Sequence, residues 1–115
     1  MIIMANYANQ LVVHIENFKN IQHITGKEDG IYCPPILWKY RKQAMLNLSG
    51  NGYKLWDYFL SWGGTKSFLL SPKHIEQEIG VSNKGVYNAR KELEQKRYLK
   101  QENNTIYFYP DGTAS

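Results

Sequence analysis

Residues Ser71–Leu99 read SPKHIEQEIGVSNKGVYNARKELEQKRYL, and the spacing of their caps decides the fold. Ser71 is a natural N-cap, and Pro72 suits the first helical position, where a missing N–H breaks no intrahelical bond. Ile75 and Ile79 stand four apart on one helical face, and Gly80 stops the helix. After Val81, Ser82 caps again. A longer helix is expected from about Asn83 to Lys96, with Val86, Ala89, Arg90 and Leu93 on its inner face. Val81, apolar within the turn, is expected to tuck between the two helices. Tyr98–Gln101 and Thr105–Tyr109 then flank Glu102-Asn103-Asn104. That is a β-hairpin pattern, since Asn accepts positive φ more readily than most residues.

Upstream, Ser49 caps a helix, with Leu48 before it and Tyr53 in its first turn placed as a hydrophobic staple. Leu55, Trp56, Phe59, Leu60 and Trp62 form its apolar face, and Gly63-Gly64 is expected to end it. Ser67–Leu70 is a short strand candidate. Further back, residues 10–15 are rich in β-branched side chains and suit either a strand or a short helix. Residues 16–30 are polar, ending in a surface loop at Thr25–Gly30. Ile31–Cys33 reads as extended before Pro34-Pro35. Pro35 is expected to open a helix through Met45 whose apolar positions mark no clean stripe. The expected division is an N-terminal extension (1–45), able to serve as a dimerisation element, a domain at 46–110, and a tail at 111–115.

The resulting order is helix, short strand, short helix, tight turn, longer helix, hairpin. It is an α+β architecture and resembles the winged helix-turn-helix family of DNA-binding domains over about Leu46 to Pro110. The run Ile31 to Pro35, a helix-like stretch, then Leu48-Ser49 and Tyr53–Leu60 is also similar to the start of initiator-type winged domains. These occur in plasmid and phage replication proteins of low-GC Gram-positive bacteria. The resemblance implies a three-helix core with a hairpin wing. It implies binding of double-stranded DNA, as a transcriptional regulator or a replication or partition protein of a mobile element. Such domains usually dimerise to read paired half-sites. The sequence departs from the family at Arg97, where many winged domains place a Gly before the aromatic that enters the wing strand. The wing is also short, with little positive charge beyond Lys100.

In such domains the second helix of the pair enters the major groove by its N-terminal half. Here that half shows Asn83, Lys84, Tyr87, Asn88 and Lys91 outward, with Gly85 small enough for close approach to the DNA backbone. Asn can pair with adenine in bidentate fashion. Lys reaches guanine or phosphate, and Tyr can bond phosphate or touch a thymine methyl. Lys73, Arg90, Arg97 and Lys100 are the candidate phosphate clamps. The backbone amides near Ser71 and Ser82 can also hold phosphate. Lys39, Arg41 and Lys42, interleaved with Trp38 and Tyr40, either extend that footprint or form an ordinary exposed helix. The aromatic face of the 49–62 helix is a second candidate dimer surface.

The chain carries +4 formal charge over 115 residues. The excess is uneven: from Ser71 to Lys100 there are seven basic residues against four acids. A polyanionic partner fits that distribution. Other classes lack a signature. His14, His23 and His74 have no metal-ligand spacing, and Cys33 is the sole cysteine, so no metal site, no intramolecular disulfide and a reducing, cytoplasmic compartment are expected. His14 sits in an apolar run and reads as a core or boundary residue. Gly50-Asn51-Gly52 lacks the remaining residues of a nucleotide-binding loop and reads as a loosened helix start. Glu76 and Glu78 fall on different helix faces and form no carboxylate pair. No catalysis, cofactor or small-molecule ligand is expected. No apolar run approaches the roughly 20 residues of a membrane span. The alternative to DNA binding is a winged domain used as a protein-interaction module, for example to inhibit a host protein.

Overall fold

Three serines open three helices. The computed structural model describes residues 11–18, 36, 38–63 and 67–115. In it, the hydroxyls of Ser49, Ser71 and Ser82 accept the backbone N–H of Gly52, His74 and Gly85, each three residues on, at 3.1–3.3 Å. Each bond satisfies one of the amide donors that a helix start leaves open. The described elements are β1 (Val12–Ile15), α1 (Trp38–Asn47), α2 (Gly50–Leu60), β2 (Ser67–Leu69), α3 (Pro72–Ile79), α4 (Asn83–Gln95), β3 (Leu99–Glu102) and β4 (Thr105–Phe108). The expected opening of a helix at Pro35 and the loop at 25–30 lie outside the described residues.

The chain folds as α+β, with a four-stranded mixed sheet in the order β2-β1-β4-β3. The hairpin β3–β4 is antiparallel, with Leu99 opposite Phe108, and Asn103 takes positive φ at its turn (55°). The unexpected member is β1. It runs antiparallel to β2, pairing Val13 with Phe68, and parallel to β4, pairing Val13 with Ile106. Part of the expected N-terminal extension is therefore a central strand. Val13 is fully buried, and removing such a side chain from water contributes about 1.5–3 kcal/mol.

Helix α2 fills the space above the sheet. Leu55, Trp56, Phe59 and Leu60 are buried as the periodicity predicts, and Tyr58 joins them. The Phe59 ring meets Phe68 of β2 and Phe108 of β4 edge-on, with centroids 5.6 and 5.1 Å apart. Trp56 Nε1 donates to the Pro110 carbonyl at 3.1 Å. The aromatic face proposed as a dimer surface is thus the protein's own core, and α2 cannot offer it to a partner. Helix α2 also ends at Leu60, before the glycine pair. Its last turn tightens there as the Ser61 N–H is shared between the Asp57 and Tyr58 carbonyls, at 3.1 Å each.

The pair α3–α4 is joined by Gly80, Val81 and Ser82. Gly80 is left-handed (φ 70°) and Val81 is buried, as expected of a tight turn between packed helices. Ile75, Val86, Ala89 and Leu93 face inward. Arg97 leaves α4 with φ 71°, the conformation that usually calls for glycine. The strain is offset by a clasp with the C-terminal segment: Arg97 Nε donates to the Ala114 carbonyl at 2.7 Å, and the Ala114 N–H donates to the Arg97 carbonyl at 2.9 Å. Ala114 is buried, so the segment expected as a tail closes the domain instead.

Candidate nucleic-acid interface

At 100° per residue, Asn83, Lys84, Tyr87, Asn88 and Lys91 fall on one arc of α4. All five are exposed, Tyr87 to 53%. Two cations lie over the tyrosine ring, the Arg90 guanidinium 5.9 Å and the Lys91 ammonium 5.5 Å from its centroid. This ridge forms one wall of a cleft of about 590 Å³. The opposite wall is the start of α3, Ser71 to Lys73. Among the described residues, Lys73, Lys84 and Arg90 line the cleft and no carboxylate does. Because α3 and α4 both begin at the cleft, two helix N-termini add partial positive charge to the three cations.

Arg90 stands at the junction of this cleft with a smaller recess of about 210 Å³, lined by Tyr87, Arg90, Lys91, Glu94, Leu99 and Gln101. Its Nη1 donates to Gln101 Oε1 at 3.1 Å, linking α4 to the hairpin. Burial lowers its pKa, while Tyr87 and Glu94 oppose that shift. Of the acids on α4, Glu92 is turned away from the ridge. Both of its oxygens accept from Ser49, and Lys96 stands 3.3 Å away. Its pKa is lowered: burial acts to raise it, but the Ser49 hydrogen bonds and Lys96 together prevail. Glu92 is thereby held at the start of α2, while Glu94, exposed, stays on the ridge side of α4 beside Arg90 and Lys91.

The structure brings together Asn83, Lys84, Tyr87, Asn88, Lys91, Lys73 and Arg90. It separates three others. Gly85 lies on the rear of α4, where a Cβ would stand 2.8 Å from Val81 Cγ1 and 3.3 Å from Asn51 Nδ2. Its smallness serves helix packing rather than an approach to DNA. Arg97 is exposed, but its guanidinium is engaged by Ala114 at the far end of α4, some 20 Å from Asn83 at about 1.5 Å per residue. Lys100 faces away from α4 because strand side chains alternate and its neighbour Leu99 points into the core. Lys100 lies instead over Tyr107, 6.0 Å from the ring centroid, and 3.7 Å from Glu102. His14 stacks on the same tyrosine at 5.7 Å.

Sequence reasoning missed Leu11, Leu70 and Gln101 as lining residues. The same strand alternation that moves Lys100 outward places Gln101 toward α4, so that position was open to inference. Leu11 carried no such signal, since its place depends on β1 joining the sheet. Among the described residues no group of three or more His, Cys, Asp or Glu side chains is arranged to hold a metal ion, and no helix is long and apolar enough to cross a membrane. No family model matches the chain, and no curated protein or solved structure does so either.

Proposed function

We propose that this protein binds double-stranded DNA sequence-specifically, as a winged helix-turn-helix domain whose α4 enters the major groove and whose β3–β4 hairpin is the wing. The observation that supports this most is the joining of an exposed amide-and-lysine ridge to a cleft lined by Lys73, Lys84 and Arg90, with no carboxylate among its described lining residues. Asn83, Asn88 and Lys84 supply the hydrogen-bonding groups that read base edges. Lys73, Arg90 and the two helix N-termini hold the flanking phosphates. The wing lends little charge, because Lys100 is turned to the other face of the sheet beside Glu102. Recognition therefore rests on α4. Two copies on paired half-sites would give the affinity that one short helix lacks. The resemblance to initiator-type domains favours a regulatory, replication or partition role on a plasmid or phage.

Selection of bound sequences from a random duplex pool tests the reading. We expect enrichment of a short motif, repeated at a spacing near one helical turn if two copies bind together. Replacing Lys84 and Asn88 with Ala should weaken binding to the selected site by about 1–3 kcal/mol for each base no longer read. Failure to enrich any duplex would favour a domain that binds protein instead.

A further inference from the structure

Of the five large apolar side chains exposed among the described residues, three belong to α1: Trp38 at 62%, Met45 at 50% and Leu46 at 74%. At helical spacing, Met45, Trp38, Lys42, Leu46 and Lys39 share about a third of the circumference. The other side of α1 is pinned to the fold. Ala44 is buried. Arg41 Nη1 donates to the Tyr53 hydroxyl at 2.6 Å and to Asp57 Oδ1 at 3.1 Å. Gln43 donates to the Tyr98 hydroxyl and the Asp111 carbonyl, and Asn47 also donates to Tyr98. The outward face is therefore held rigidly. It is apolar at both ends, basic at its middle, and borne on a helix with no acidic residue.

We propose that this face of α1 docks an acidic protein surface, with Lys42 meeting a carboxylate and Trp38 and the Met45–Leu46 pair entering apolar recesses on either side. The charge pattern selects this occupant. A second copy packed antiparallel about the middle of α1 would set Lys42 against Lys42, a like-charge contact that costs affinity. A phosphate backbone gains nothing from Met45 or Leu46. The location matters too. Asn47 and Ser49, at the C-terminal end of α1, contact Lys96 and Glu92 near the C-terminal end of α4. The docking face thus lies beside the end of α4 remote from Asn83 and Lys84, and it stays open when the ridge is occupied. This inference does not depend on DNA binding.

The test is a binding titration of the full chain against a random copolymer of glutamate and tyrosine. Lys42→Glu and Leu46→Ser are compared with wild type, all three confirmed as folded by circular dichroism. We expect either substitution to weaken binding about tenfold or more, and Gln77→Ala, at an exposed position outside both surfaces, to leave it unchanged. Equal binding by wild type, Lys42→Glu and Leu46→Ser, or no binding by wild type, would overturn the proposal. So would either of two other uses of the same residues: a dimer in sedimentation that Leu46→Ser dissolves, or capture by phosphatidylglycerol vesicles that Lys42→Glu abolishes.

Discussion

Glu92 takes the Ser49 N–H at 2.7 Å through one oxygen and the Ser49 hydroxyl at 2.6 Å through the other, so a residue of α4 caps the start of α2. Its carboxyl is held below the usual value of 4.5. A carboxylate whose folded pKa is depressed stabilises the fold fully above its unfolded pKa and loses that contribution as pH falls through the folded value. Glu92→Gln should therefore destabilise the protein by about 1–2 kcal/mol at neutral pH. The gap to wild type should narrow below pH 4.5, as read by urea melts across pH. Two glycines nearby give a paired test. A Cβ on Gly50 meets open space, while one on Gly52 collides with the Glu92 carboxylate. Gly50→Ala should raise stability by about 0.4–1 kcal/mol. Gly52→Ala should lower stability despite the better helix propensity of alanine, because Glu92 must move off Ser49; thermal melts of the two variants show the sign. At this scale much was legible. Ser49, Ser71, Ser82 and Gly80 act where the sequence placed them, since a cap involves only residues three or four apart. Gly85 was misread, because its neighbours Val81 and Asn51 are set by packing between elements.

Helices α2, α3 and α4 and the β3–β4 hairpin were readable from periodicity and turn residues, within a few residues at each end. Strand β1 was not. Its four residues suit a strand, but nothing local says that Val13 pairs with Phe68 on one side and Ile106 on the other. Such pairing is specified by burial and by which edges remain free. Lys100 shows the same limit within a single strand: its charge suggested DNA, while its parity turns it toward Tyr107. Because β1 separates β2 from β4, a chain restricted to residues 46–110 lacks the middle of its sheet, as well as α1 and the Ala114 clasp. We expect that fragment to unfold without a cooperative transition in thermal and urea melts, whereas the full chain melts as one unit. A sharp transition in the fragment would show β1 to be dispensable. Within the full chain, Val13→Ala should cost about 1.5–3 kcal/mol.

For the molecule as a whole, the net charge of +4 is less informative than where it lies. One end of α4 carries the ridge of Asn83, Lys84, Tyr87, Asn88 and Lys91 together with Lys73 and Arg90 across the cleft. The other end adjoins α1, whose outward face is apolar and basic, and Glu92 is held there by Ser49. That arrangement suits a domain that holds DNA by one end and a protein by the other. Binding of the full chain to duplex DNA, followed by fluorescence anisotropy across a salt series, should give a log–log slope near −0.9 for each phosphate neutralised, reduced by about one when Lys73 is replaced with Ala. Absence of duplex binding at low salt, or a slope that Lys73→Ala and Lys84→Ala leave unchanged, would contradict the account.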